Sequence, residues 1–183
     1  MKDILYTVYT HTDCMDVWPI FFGQTDKHVC ESMDKAIFVN KLDEDINEMI
    51  PEDYEVYVYD DSLTYTERVL SCIEEVNHDY VLFHHEDMFL YRSPDWDKID
   101  SYVKYMEAND YDSIRLIKSG ELGGDKLTED LVDIPEVTMW NFVLQPTIIK
   151  TNKMVQLFRE SKKTNIWEFE VDVQRVCNNI GLK

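Results

Sequence analysis

Four short runs rich in β-branched and aromatic residues recur in the first half of the chain, with helix-forming stretches between them. They are Ile4 to Thr10, Ala36 to Asn40, Tyr54 to Tyr59 and Asp79 to His85. Runs of this length and composition predict strands. Between the first two, Val17 to Phe22 predicts a buried helix, which Pro19 either opens at its first position or kinks. Asp43 to Met49 predicts a short helical piece. Thr64-x-x-Glu67 is a capping box, and Val69, Leu70, Ile73 and Val76 give the helix behind it one apolar face. Strands alternating with helices predict a mostly parallel sheet with right-handed crossovers.

The second half is less regular. Ser93-Pro94-Asp95 predicts a helix start, with Ser93 as cap and Pro94 at the first position. Ile99, Val103 and Met106 form that helix's apolar stripe. Ser113 to Ile117 predicts a fifth strand. Gly120 to Pro135, which contains Gly123-Gly124, reads as a long polar loop. Trp140 to Ile149 reads as a β segment, followed by a helix capped by Thr151 and running through Phe158. A last helix is expected from Trp167 to Asn179, with Phe169, Val173, Val176 and Ile180 facing in. The late β segment makes the sheet mixed. The expected fold is therefore α/β, a three-layer α/β/α arrangement around a mixed, mostly parallel sheet. At 183 residues with 44% hydrophobic, one domain with a full core is expected.

Composition narrows the function. There are 37 acidic and 18 basic residues, a net charge of −19. Such a surface repels a phosphate backbone and argues against nucleic acid as a partner. It still admits a small anionic ligand held locally by a metal ion and one or two cationic side chains. No 18-residue apolar span predicts a membrane helix, and Met1-Lys2-Asp3-Ile4 does not start like a signal peptide. Cys14, Cys30, Cys72 and Cys177 are widely spread, without a Cys-x-x-Cys pair. That argues against a compact zinc site and fits reduced thiols in a cytoplasmic setting.

The chemistry lies where the strands end. Ligands of open α/β sheets sit beyond the carboxyl ends of the strands. Asp79 to Leu90 passes from an apolar run into His84-His85-Glu86-Asp87, four consecutive polar residues able to bind metal. Thr10-His11-Asp13, Asn40, Asp60-Asp61 and His85-Glu86-Asp87 should converge on one edge. Hydroxyl, amide and carboxylate groups there suit a ribose, a base edge and a divalent ion. Oxygen ligands favour Mg2+ or Mn2+, and imidazole biases toward Mn2+. No Gly-x-Gly-x-x-Gly, no P-loop and no Gly-x-Ser-x-Gly elbow is present. His11 reads as a ligand or a plain turn residue, and Asp13 as a nucleotide contact or a helix cap. Arg68 lies in the first turn of its helix, where the dipole disfavours a cation. This suggests a non-structural use, against a surface ion pair. His84 and His85 should alternate, one facing in as a hydrogen-bonded core histidine and one out.

Three of these features together resemble a known family, the GT-A-type glycosyltransferases, which use nucleotide-diphosphate sugars. Val81 to Phe89 is similar to the family's metal-binding Asp-x-Asp element. Thr10, Asn40 and Arg68 ahead of it are spaced like the nucleotide pocket. Trp167-Glu168-Phe169-Glu170 is similar to the segment that places the catalytic base in inverting members. The resemblance covers most of the chain, from the first strand through the last helix.

The resemblance implies a set of roles. Asp87 is the best-matched metal ligand, and His85 stands where the family has its first acid. Thr10, His11, Asp13, Asn40, Arg68 and Glu86 would contact the nucleotide sugar. Glu170 would be the base, since Asn165-x-x-Glu168 reads as a capping box that occupies Glu168. Trp140, beside the long loop, would be an acceptor platform; Trp18 and Trp167 otherwise read as core. Residues 1–92 would form the donor and metal half and residues 93–183 the acceptor half of one domain. The implied activity is sugar transfer from a nucleotide-diphosphate donor to a glycan or other hydroxyl acceptor, with inversion, assisted by Mn2+ or Mg2+. Two other readings stay open. One is a catalytically inactive module binding sugar nucleotides or glycans, suggested by His85. The other is a metal-dependent nucleotidyltransferase, although its Gly-rich basic loop is missing.

Overall fold

The computed structural model describes residues 4–117, 124–134 and 140–183. Six strands form one sheet: β1 Ile4–Tyr9, β2 Lys35–Val39, β3 Tyr54–Val58, β4 Tyr80–His85, β5 Ser113–Arg115 and β6 Thr147–Lys150. Their order is β3-β2-β1-β4-β6-β5. β1 to β4 are mutually parallel, and β6 runs antiparallel to both β4 and β5. The expected three-layer, mixed and mostly parallel α/β architecture is what forms.

Helices cover both faces. Trp18, Phe21 and Phe22 of α1 (Trp18–His28), Ile46 of α2 (Glu44–Met49) and Ile99, Val103 and Met106 of α4 (Trp96–Asn109) pack with Ile4, Tyr6, Val8 and Leu82 on one side. On the other, α3 (Tyr65–Ile73), α5 (Thr151–Ser161) and α6 (Ile166–Ile180) pack Val69, Met154, Phe158, Phe169 and Val173 against Leu5, Val81, Phe83 and Ile149. All six residues of β1 are buried. This is why that run is apolar but for Thr7: a parallel strand covered on both faces has no solvent side.

Local signals hold at several ends. Pro19 sits within the first two positions of α1, where its missing N–H costs no helical bond. The Glu67 carboxylate accepts from the Thr64 N–H at 3.0 Å and the Thr64 hydroxyl at 2.6 Å, so the capping box forms. Asp43 caps α2 and Asn165 caps α6. Gly181 closes α6 at φ 60, a left-handed conformation that favours glycine.

Other expectations are corrected. The helix after β4 is capped by Asp95, not Ser93, and starts at Trp96, beyond Pro94; the Asp95 carboxylate takes the Lys98 N–H at 3.0 Å. Thr151 does not cap α5 but is its first residue, and its hydroxyl donates to the His78 carbonyl at 2.6 Å. That helix continues past Phe158 to Ser161. The segment from Trp140 is a strand only over Thr147–Lys150. Upstream, side chains of α6 take its backbone donors: Gln174 Oε1 accepts from the Asn141 N–H at 2.7 Å and Glu170 Oε1 from the Leu144 N–H at 3.0 Å. Groups bound to a helix cannot pair with a strand. Of the expected long loop, Gly120, Gly123 and Pro135 lie outside the described residues.

Candidate active site at the strand ends

The chain leaves β1 for β2 and β3 on one side and returns as β4 on the other. The crevice between the carboxyl ends of β1 and β4 is therefore a topological switch point, the usual ligand position in open α/β sheets. The expected residues do converge there, and most of them hold one another.

Thr10 is 1% exposed, and its hydroxyl accepts from the Trp18 indole N–H at 2.9 Å. Its carbonyl accepts from the Tyr59 hydroxyl at 2.7 Å. It is a buried support for the edge. Asn40 clamps the turn after β1: its Oδ1 accepts from the Thr12 N–H at 2.9 Å and its Nδ2 donates to the Thr12 hydroxyl at 3.1 Å. His11 Nδ1 accepts from the Asp13 N–H at 3.0 Å, which leaves Nε2 as the protonated nitrogen, donating to Asp61 at 3.1 Å. The carboxylate of Asp13 stays exposed.

Arg68 is used structurally. Its guanidinium donates to the Leu63 carbonyl at 2.8 Å, to the Asp61 carbonyl and to the Asp61 carboxylate at 2.9 Å, and lies over the Tyr59 ring. The unfavourable place at a helix start is offset by this loop anchorage. Arg68 thus reaches the edge through Asp61, which it shares with His11.

His84 and His85 alternate as the strand period requires, but neither faces out. His84 is 2% exposed, packs between Tyr6 and Phe21, and makes a 3.0 Å hydrogen bond with the His85 carbonyl. His85 points to the opposite face, against Tyr9 and Phe83, with Nε2 3.1 Å from the Tyr65 hydroxyl. Burial lowers each imidazole to about 4. The face that His85 takes is covered by α3, so the expected outward histidine is only partly exposed and is held by Tyr65.

The carboxylates differ. Burial raises the carboxyl of half-buried Glu86 above its usual range, and neighbouring Asp87 adds to this; the Cys14 thiol and Thr10 hydroxyl oppose it through hydrogen bonds. Burial, then Glu86, pushes the Cys14 thiol up to about 11. Asp87 itself is exposed.

His85 does not suit its expected part in a metal pair. Its Nε2 is taken by Tyr65, and burial alone perturbs it, with no carboxylate contribution. Among the described residues no group of three His, Cys, Asp or Glu side chains gathers as a metal cage. Asp87 is an exposed carboxylate just beyond β4, and Mg2+ binds commonly through one or two carboxylates plus substrate phosphates.

Glu170 reaches the same cluster from α6. One of its oxygens holds the Leu144 N–H. Burial raises the Tyr65 hydroxyl well above its ordinary value, and Tyr9, Glu170 and Glu86 push it further. Tyr65 therefore lies between the end of β4 and the first half of α6. Glu168 is occupied, as expected: it accepts from the Thr164 hydroxyl at 2.6 Å, and its N–H donates to Asn165 Oδ1 at 3.0 Å. Trp140 is half exposed, and Trp167, expected in the core, is 76% exposed.

Sequence reasoning missed the aromatic floor. Tyr9 and Tyr59 stack with centroids 5.3 Å apart, and Tyr65 meets Tyr9 edge-on at the same distance. Tyr9 and Tyr59 stand at the carboxyl ends of two parallel strands, a position that would have flagged them. A cleft lined by His78, Asp79, Lys150 and Arg159 opens at the opposite edge of the sheet and holds none of these groups.

No protein-family model matches the chain, and no curated protein sequence matches it. A solved structure does: residues 1–349 of TarS from S. aureus superimpose over 96% of this chain with a TM-score of 0.58 at 12% identity. The chain spans about half of that structure, 55% of its length. At this identity the likeness establishes the fold, which is glycosyltransferase-like and consistent with the GT-A type.

Proposed function

We propose that this chain is a glycosyltransferase that moves a sugar, with inversion, from a nucleotide-diphosphate donor to a hydroxyl acceptor. The observation that carries the reading is a convergence. Tyr65 joins the end of β4 to α6 at the switch-point crevice, its hydroxyl 3.1 Å from His85 and its ring against Phe169, with Glu86 on the first side and Glu170 on the second both acting on its hydroxyl. The likeness to TarS supports it at the level of fold.

In this reading residues 1–92 take the donor and residues 93–183 the acceptor. Asn40, His11 and Asp61 shape the nucleotide end, positioned by Thr10 and Arg68. Glu170 is the general base. Its fixed oxygen stays on the Leu144 N–H, and its other oxygen takes the proton from the acceptor hydroxyl. The acceptor oxygen bonds to the anomeric carbon as the carbon–oxygen bond to the diphosphate breaks. The nucleoside diphosphate leaves with that electron pair. Asp13, Asp61, Glu86 and Asp87 gather at the strand ends, where Arg68 is already paired with Asp61. A diphosphate entering such a field needs added positive charge. Mn2+ or Mg2+ held by Asp87 and the phosphates would neutralise charge on the leaving group. A cytoplasmic location is part of the proposal, supported by four free cysteines and by no helix, among the described residues, long and apolar enough to cross a membrane.

The second reading is an inactive module that binds sugar nucleotides. The Tyr65-bonded His85 at the expected acidic position favours it. Thermal unfolding with a panel of nucleotide-diphosphate sugars, with and without Mn2+, tests the donor site. A stabilisation that needs donor and metal together, and that Asp87→Ala abolishes, supports it. No shift with any donor overturns both readings. Release of nucleoside diphosphate then separates transferase from binding module.

A further inference from the structure

Arg115 ends β5, and across the ladder it faces Thr147, which in turn faces Phe83 of β4. Paired residues share a face. Arg115 and Thr147 therefore lie on the side of Phe83, the side covered by α5 and α6. The Thr147 hydroxyl is buried without a hydrogen-bond partner in a residue 3% exposed. Gln145, two residues earlier, also buries its Oε1 unpartnered. Arg115 is half-buried, and no described residue offers it a hydrogen bond or an ion pair. This stands out in a chain with 37 acidic residues against 18 basic. Nearby Asp112, by contrast, receives both Lys150 and Lys153. A half-desolvated guanidinium across the ladder from a buried, unmatched hydroxyl leaves hydrogen-bonding capacity that a ligand can complete.

We infer that Arg115, Thr147 and Gln145 form a subsite for an oxyanion carried by the acceptor, a phosphate or a carboxylate next to sugar or polyol hydroxyls. The inference rests on the transferase reading and names its acceptor class. β5 lies two strand spacings, about 10 Å, from β4. That puts the guanidinium beyond the donor crevice, on the side where Glu170 grips the Leu144 backbone. The guanidinium fork receives the oxyanion, the Thr147 hydroxyl donates to it or to a neighbouring hydroxyl, and Gln145 Oε1 accepts from a ligand hydroxyl.

The test titrates the full chain with glucose 6-phosphate, glucuronate and glucose by calorimetry. One or both anionic sugars should bind more tightly than glucose, and which one does so identifies the anion. Arg115→Gln should weaken that binding about tenfold or more, as expected for a lost charged hydrogen bond. Thr147→Val should weaken it severalfold, and neither should change the donor-dependent thermal shift. Should Arg115→Gln unfold, Arg115→Lys decides, since it keeps the charge but loses the fork and must still weaken binding. Anionic sugars binding no better than glucose, or binding undiminished in these variants, overturns the subsite. Because the donor shift is read separately, its presence or absence judges the transferase reading independently.

Discussion

The two ends of the sheet's carboxyl edge are built differently. Along β2, β1 and β4 the polar side chains hold one another: Thr10 with Trp18, Asn40 with Thr12, His11 and Arg68 with Asp61, His85 with Tyr65. Along β6 and β5 Arg115, Thr147 and Gln145 have no such partners among the described residues. The first end is largely a finished frame, although His84 buries its Nε2 unpartnered, and Asp13, Asp61 and Asp87 lie exposed at its rim. The second holds unmatched hydrogen-bonding capacity. A site that takes one constant ligand can be built rigid in advance, whereas unmatched groups keep their free energy for the molecule that binds them.

Replacing Glu170 by Gln probes where the two ends meet. The amide of the Glu170→Gln variant keeps an oxygen for the Leu144 N–H but cannot accept a proton. Turnover should fall about 100-fold or more, the usual range for a lost general base, with the donor thermal shift intact. Unchanged turnover would break the link between α6 and the crevice.

Acidification strikes the finished end. His84 and His85 are held neutral with values near 4, against 6.5 for the free group. The unfolded chain takes up these protons first as pH falls below 6.5. Stability should therefore decline from about pH 6.5 to pH 4, by up to about 3 kcal/mol for each histidine, and level off below. Denaturant unfolding across that range measures it, and His84→Gln should flatten the slope.

Two matched substitutions test the contrast itself. Thr10→Val strips the Trp18 indole of its acceptor and should cost about 1–3 kcal/mol. Thr147→Val removes a buried hydroxyl that bonds to nothing among the described residues, and should leave stability unchanged or raise it by up to about 1 kcal/mol. Equal losses in urea unfolding would erase the distinction. Thr64→Ala, which breaks the capping box of α3, should cost about 1 kcal/mol in the same assay.

The α/β class, the core faces of α3, α4 and α6 and the converging strand ends are legible in the chain. Each rests on local periodicity or on a cap, and both act within a few residues. The Thr64–Glu67 pair and the cap at Asn165 form where they read, because a cap bonds only its own first turn. The segment from Trp140 reads as β throughout but is a strand only from Thr147, because the Asn141 and Leu144 donors are claimed by Gln174 and Glu170, about 30 residues away. Arg68 reads as free for a ligand, yet its fork is filled by carbonyls and a carboxylate that only the β3–α3 turn brings near.

The sequence by itself thus determined which residues become strands and helices, and which chemical groups arrive at the carboxyl edge. Only the tertiary structure decided which of those groups stay available. Availability depends on whether a partner from a distant part of the chain already satisfies the group. It turned His85 into a hydrogen-bonded neighbour of Tyr65 and packed Phe169 of α6 against that same ring. It also left Arg115, unremarked in the sequence, as a half-buried cation without a partner among the described residues.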